Sequence, residues 1–196
     1  MTDDTDNAPD LSSGEAPSIR VFVALKIHEA IARNLAAVAR ELEDPAVRPV
    51  AVADIHLTLV PPWAEQAPAK AIETLAGIAG RFGPFPLTIA HVGYGPDRRE
   101  PRLLWADCAV TEELAALRAA LLAGFGQSDD RGFRPHITLV RIRGNGRAVA
   151  RRHPLDRPLA LKQQINSVEL LQSPAPGERG YKVLASAALS SPALQQ

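Results

Sequence analysis

The chain has 196 residues, enough for one sizeable domain or two small lobes sharing a core. Its 46% apolar and 22% charged residues are the proportions of an ordinary globular chain, and its zero formal net charge argues against a protein that coats long nucleic acid by charge alone. That neutrality is uneven: residues 1–17 carry five acids and no base, leaving 22 bases against 17 acids and a mildly basic remainder suited to a small anionic ligand. The single cysteine, Cys108, rules out an internal disulfide and a cysteine zinc cluster. No stretch of 18 apolar residues predicts a membrane span, and the acidic N-terminus lacks the apolar segment of a secretory signal, so a cytoplasmic setting is expected.

In chain order, residues 1–18 are polar, acidic and rich in turn formers, and are expected to be a disordered tail. Residues 19–26, IRVFVALK, predict a strand. Apolar positions 31, 35, 38 and 42 predict a helix over 28–43, stopped by Asp44-Pro45. DIHLTLV (54–60) alternates as a strand and is expected to stop at Pro61-Pro62. Residues 65–82 predict a helix, 85–94 a strand, and 102–110 its return after a turn rich in breakers. Thr111 is a suitable cap for a helix with a buried stripe of Leu114, Leu117, Leu121 and Leu122. RPHITLVRI (134–142) predicts the next strand and 143–158 a loop. Residues 165–173 and 181–189 predict a hairpin, and 191–196 a C-terminal tail.

HLTLV at 56–60 and HITLV at 136–140 each follow a helix, which suggests an internal duplication. The expected fold class is α+β over 19–190: two pseudo-symmetric lobes of mainly antiparallel sheet, helices packed outside, and a central groove. On a strand, i and i+2 share a face, so His56 and Thr58 lie on one side and Ile55, Leu57 and Leu59 on the other; the second copy repeats this with His136 and Thr138. A buried unpaired imidazole or hydroxyl is costly, so the polar side is expected to face a cleft or ligand. Imidazoles titrate near neutral pH, so one can act as base and the other as acid, the two roles that phosphodiester cleavage needs. Threonine hydroxyls can donate to non-bridging phosphate oxygens. This arrangement requires neither metal nor cofactor, and no metal-ligand spacing is present. The residues themselves leave open which histidine is acid and which is base.

Further residues are candidates for the site. Arg134 shares a face with His136 and can reach a phosphate; Asp54 shares one with His56. Arg131, Arg141, Arg143, Arg147, Arg151 and Arg152 make a basic stretch that reads as a solvated loop or as an RNA-facing rim. His91 is a weaker candidate, near Tyr94. His28 reads as a helix-start residue, His153 as a loop residue and Cys108 as core.

With both motifs placed, the chain resembles the 2H phosphoesterase superfamily, and within it the RNA 2′,3′-cyclic phosphodiesterases, also called 2′-5′ RNA ligase-like proteins. The resemblance runs from about Arg20 to Leu189, through RVFVAL, HLTLV, RLLWA, RPHITLVR and VELLQS…GYKVL. It implies hydrolysis of a 2′,3′-cyclic phosphate to a 2′-phosphomonoester, without metal, in a groove between two lobes. It implies His56 as proton donor, His136 as proton acceptor, Thr58 and Thr138 on the phosphate oxygens, and Arg141 as a basic residue common after the second motif. The partner it implies is an RNA end, oligonucleotide or nucleotide bearing a cyclic phosphate; a monomer is expected. The chain departs from the RNA-directed pattern at Pro61, where a phenylalanine that can stack on a base usually follows the first motif; Trp63 is a candidate replacement. This departure keeps open a small nucleotide-derived cyclic phosphate or a 2′-5′ linked oligonucleotide as substrate, and a non-catalytic nucleotide-binding module as a further alternative.

Overall fold

The computed structural model describes residues 18–130 and 132–190. The tail over 1–17, residues 191–196 and Arg131 lie outside the described residues, with the expectations made for them. The elements in order are β1 (Ile19–Lys26), α1 (Glu29–Arg40), β2 (Val47–Pro49), a 3-10 turn (Val52–Asp54), β3 (His56–Glu65), α2 (Pro68–Ala79), β4 (Phe85–Gly95), β5 (Leu103–Cys108), α3 (Glu112–Gly124), β6 (His136–Ile142), α4 (Gly146–Arg152), β7 (Arg157–Ile165), β8 (Ser167–Gln172) and β9 (Lys182–Ala188).

All strand pairs are antiparallel, and the strands join edge to edge in the order β7-β4-β5-β6-β3-β1-β8-β9, with β2 beside β6. The two HxT strands occupy the centre and meet at Leu57 and Ile137. Outward from that seam the halves match: β3, β1, β8, β9 on one side and β6, β5, β4, β7 on the other. The registers agree as well. Lys26 pairs with His56 and Ala24 with Thr58; Asp107 pairs with His136 and Trp105 with Thr138. The lobes are nevertheless not halves of the sequence. β4 crosses into the second lobe beside β5, and β8 and β9 return to complete the first beside β1.

Alternation explains which face is which. In β1, Val21, Val23 and Leu25 enter one large buried cluster with Leu35, Leu75, Leu114 and Leu121 of the helices. Phe22 and Ala24 lie on the opposite face, in a second small cluster with Leu171 and Tyr181. The apolar stripes of α1, α2 and α3 thus cover one side of the sheet and leave the other side open as the groove face. Thr111 caps α3 as expected, its hydroxyl accepting from the Leu114 amide at 3.3 Å.

Three expectations fail. β3 does not stop at Pro61-Pro62 but runs on to Glu65, because one register shift against β1 spans the prolines as a bulge, with a second at Leu59. The stretch expected as a loop over 143–158 contains α4, capped by Asn145, whose side chain accepts from the Ala148 amide at 3.0 Å. β7 is an unforeseen edge strand on β4, where an edge position tolerates Pro158.

Candidate active site

The face predicted for the motif holds. Leu57, Leu59, Ile137 and Leu139 are buried among the helices, while His56, Thr58, His136 and Thr138 are half-buried on the open side. The antiparallel meeting of Leu57 with Ile137 sets His56 at the level of Thr138 and Thr58 at the level of His136. Each imidazole is therefore diagonal to the other and faces the other motif's hydroxyl across the seam.

The two rings are fixed in the same way. His56 Nδ1 lies 2.6 Å from the Asp54 carbonyl oxygen, and His136 Nδ1 lies 2.8 Å from the Arg134 carbonyl oxygen. A carbonyl oxygen only accepts, so each Nδ1 carries the hydrogen, and in the neutral ring Nε2 is the basic nitrogen. This i−2 tether sets the tautomer of both histidines.

Their ring neighbours differ. His56 packs edge-on against Tyr181 with centroids 5.1 Å apart, and against Phe22 at 5.1 Å. The Asp54 carboxylate completes this enclosure by accepting the Tyr181 amide at 3.0 Å. Burial pushes the His56 pKa below the ordinary imidazole value; the hydrogen bond to Asp54 opposes that, and the charge of Arg141, then that of His136, add to it. His136 stacks on Trp105, with centroids 4.3 Å apart, and Arg134 lies over the same indole at 4.6 Å. Trp105 in turn lies flat on the backbone of Gly95, where a Cβ would come 2.4 Å from its Cζ2 and 2.6 Å from its Cε2.

Arg141 follows Val140, which is buried, and precedes Ile142, also buried, so its exposed side chain emerges on the groove face. Its electrostatic effect on His56 places it with the histidines. Arg134 is not aimed at the seam alone: its guanidinium pairs with Asp107 at 3.2 Å and its side chain is 52% exposed. Pro61 stands where the first motif matches Arg141 of the second. Trp63 does not join the groove. It packs against Phe125 at the end of α3, with centroids 5.0 Å apart, and its indole nitrogen donates to Glu65 at 3.0 Å. The two register shifts in β3 add to two residues, so Trp63 keeps the parity of Leu57 and falls on the helix side.

His91 lies on β4 between two carboxylates, with Nδ1 3.7 Å from Asp107 and Nε2 on Asp156. Asp107 thereby links His91 to Arg134. His28 is the N-cap of α1, and His153 lies 3.6 Å from Asp44. Cys108 is buried and its thiol is pushed up to about 12, chiefly by burial, so it is inert at neutral pH. Among the described residues no three His, Cys, Asp or Glu side chains are grouped to hold a metal, and no helix is long and apolar enough to cross a membrane.

The residues sequence reasoning missed are Phe22, Trp105, Asp107 and Tyr181. The first three were available from strand alternation once β1 and β5 were known to flank the motif strands. Beyond them, the first lobe's wall runs from Lys26 into a polar cavity of about 370 Å³. There Glu169, only 3% exposed, accepts from Ser167 at 2.6 Å, Ser186 at 3.1 Å and the Lys26 amide at 3.2 Å.

A pseudo-symmetric antiparallel sheet with an HxT strand on either side of its seam is the framework of a 2H phosphoesterase. The chain belongs to the 2′-5′ RNA ligase superfamily, whose model matches residues 26–173. It is 33% identical over 137 residues to an RNA 2′,3′-cyclic phosphodiesterase of Bacillus subtilis, across 64% of this chain and 73% of that protein. It is 27% identical over 138 residues to a protein of the same name from Archaeoglobus fulgidus, across 67% of this chain and 77% of that one. Among solved structures it is similar to E. coli LigT complexed with NADP+, with a TM-score of 0.70 and 27% identity, covering 88% of this chain and 99% of that one.

Proposed function

We propose that the protein hydrolyses a 2′,3′-cyclic phosphodiester to a 2′-phosphomonoester by two-histidine acid–base catalysis. The observation that carries this reading is the pair of Nδ1-tethered imidazoles on one face of the sheet, each level with the other motif's threonine. Water attacks phosphorus while His136 Nε2 takes its proton; the bond from phosphorus to the 3′-oxygen breaks, and a proton from His56 Nε2 completes the 3′-hydroxyl. The Thr58 and Thr138 hydroxyls and the Arg141 charge hold the non-bridging oxygens as negative charge builds. Proton transfer in this scheme uses side chains alone, and needs no metal or cofactor. The assignment of His56 as acid and His136 as base follows the family resemblance.

The lowered pKa of His56 fits an acid whose proton is held by the substrate. In the empty groove burial, Arg141 and His136 disfavour its charged form. A phosphate monoanion reverses the balance by offsetting Arg141 and attracting the imidazolium. The likeness to RNA 2′,3′-cyclic phosphodiesterases and to a nucleotide-bound structure supports the substrate class. A second reading, a small nucleotide-derived cyclic phosphate, is favoured by one observation: the strand that would carry a base-stacking aromatic has Pro61 there and turns Trp63 onto Phe125.

The test is turnover of a short RNA ending in a 2′,3′-cyclic phosphate, with chelator present, by wild type and by His136→Ala. Cleavage to a 2′-phosphate by wild type, with a loss of about 10²–10⁴ in kcat for the variant, is expected. Equal rates for the two proteins, or no turnover of cyclic RNA and cyclic mononucleotide by folded wild type, would overturn the proposal.

A further inference from the structure

Two segments far apart in the chain border an open cavity of about 480 Å³ outside the histidine seam, lined by Arg98, Arg99, Arg147, Ala150 and Arg151. Arg98 and Arg99 come from the loop between β4 and β5; Arg147 and Arg151 lie one turn apart on α4. Gly146 makes this approach possible. A Cβ there would come 1.7 Å from the Pro101 carbonyl oxygen, so α4 can start against that loop only with glycine in this place.

The cavity carries unbalanced positive charge. One carboxylate, Asp156, reaches Arg98 at 3.8 Å and is shared with His91. Among the described residues no carboxylate is within ion-pair distance of Arg99, Arg147 or Arg151. Their neighbours are treated differently: Arg152 is paired with Asp44 and Arg157 with Glu41. Like charges at i,i+4 on a helix repel, and Arg98 and Arg99 face that pair across the opening. The helix dipole favours cations in the last turn of α4, which accounts for Arg151 and Arg152 but not for Arg98, Arg99 or Arg147. A multiply charged anion between the four relieves the repulsion.

Arg98 also links the cavity to the groove face: its partner Asp156 holds His91, whose Nδ1 lies 3.7 Å from Asp107, the residue paired with His136. Arg141 on the groove face pairs with Leu103 of β5, and the next amide, Ile142, donates to the Arg102 carbonyl at 2.8 Å. Arg102 closes the loop that carries Arg98 and Arg99. Along β6 that loop lies beyond Arg141, five residues on from His136 and past a register shift against β5. A mononucleotide held at the histidines ends short of the cavity, whereas a chain of several nucleotides reaches it.

Resting on the function proposed above, we infer that Arg98, Arg99, Arg147 and Arg151 bind the phosphate backbone of a single-stranded RNA whose cyclic end lies between the two histidines. The contacts are to phosphates, so they select for chain length and not for sequence. This favours an oligonucleotide over a small cyclic phosphate as substrate.

The experiment compares wild type, the triple variant Arg99→Ala/Arg147→Ala/Arg151→Ala, and Arg81→Ala, an exposed arginine after α2, as control. Binding of a labelled RNA of about twelve nucleotides is followed by fluorescence anisotropy over a salt series. Turnover of a 2′,3′-cyclic mononucleotide is measured alongside. The triple variant is expected to bind RNA roughly tenfold or more weakly and to lower the slope of log affinity against log salt by about 2, at ~0.7 per phosphate contact. Mononucleotide turnover is expected to stay within about twofold of wild type, since these arginines contact only the distal chain. An unchanged salt slope, or equal losses for RNA and mononucleotide, would overturn the inference. So would competition by inorganic phosphate at the cavity with no dependence on RNA length. If wild type turns over neither substrate, the cyclic phosphodiesterase reading fails, yet the RNA-binding slopes still decide the arginine site.

Discussion

His56 and His136 share a backbone tether, a strand position and an accompanying threonine, but Phe22 and Tyr181 pack around the first while the second stacks on a tryptophan that also carries Arg134. Phe22 and Tyr181 close around His56, and the Asp54 carboxylate holds Tyr181 in place through its amide. Trp105 lies under His136, and from there a chain of polar contacts runs outward through Arg134, Asp107, His91 and Asp156. The comparison separates two jobs. The duplicated residues set geometry, because strand alternation and the i−2 carbonyl are the same in both copies. The residues that were not duplicated set the surroundings, and for His56 burial is the main cause that lowers its pKa. A duplicated site can thus place two like groups and still give them different roles.

If the threonines are equivalent, the symmetry should hold at the phosphate even though it breaks at the histidines. Thr58→Val and Thr138→Val each remove one hydroxyl donor while keeping a β-branched strand residue. Each is expected to lower kcat by about 10²–10³, the usual cost of one donor to developing oxyanion charge. KM is expected to change much less. Single-turnover rates on a cyclic phosphate check this, and a loss in only one of the two variants would show that phosphate is held by one lobe.

The seam was legible in the sequence and its surroundings were not. A five-residue stretch written twice with one Leu-to-Ile change, with a period of two, fixes which side chains share a face, and the apolar partners fix which face is buried. Helices α1, α2 and α3 were legible because their apolar stripes repeat over three turns. β7 escaped because an edge strand alternates weakly, carries Pro158, and is defined by pairing with β4 some 70 residues earlier in the chain. α4 escaped because seven residues with three arginines offer almost no apolar stripe. The side taken by Trp63 depended on bulges that exist only where β3 meets β1. The aromatic enclosure of His56 required β8 and β9 to return to the first lobe, and only the fold supplies that contact.

The packing of the second lobe can be tested without touching a motif residue. Gly95→Ala would push a methyl group into the Trp105 indole, which lies 3% exposed and stacks on His136. Overpacking of this kind costs about 1–3 kcal/mol. Thermal unfolding should show that loss, and activity at a temperature where the variant remains folded should fall as well. If stability falls but activity does not, the indole only fills space and does not position His136.

The smallest expected effect is the one that separates acid from base. With His56 as the acid, it must be protonated in the free enzyme, and kcat/KM must fall as pH rises through its pKa. Because that pKa is lowered, the alkaline limb of kcat/KM begins below the ordinary imidazole value of about 6.5. Bound phosphate raises it, so the corresponding limb of kcat lies at higher pH. Tyr181→Ala lets water reach the ring, relieves the desolvation that is the main cause of the shift, and moves the alkaline limb of kcat/KM upward. Tyr181→Phe keeps the enclosure and leaves the profile in place. Were His56 the base, relieving its desolvation would instead move the acidic limb upward, since a base must be unprotonated to work. The direction in which Tyr181→Ala displaces each limb therefore assigns the role of His56, and with it that of His136, independently of resemblance to any other protein.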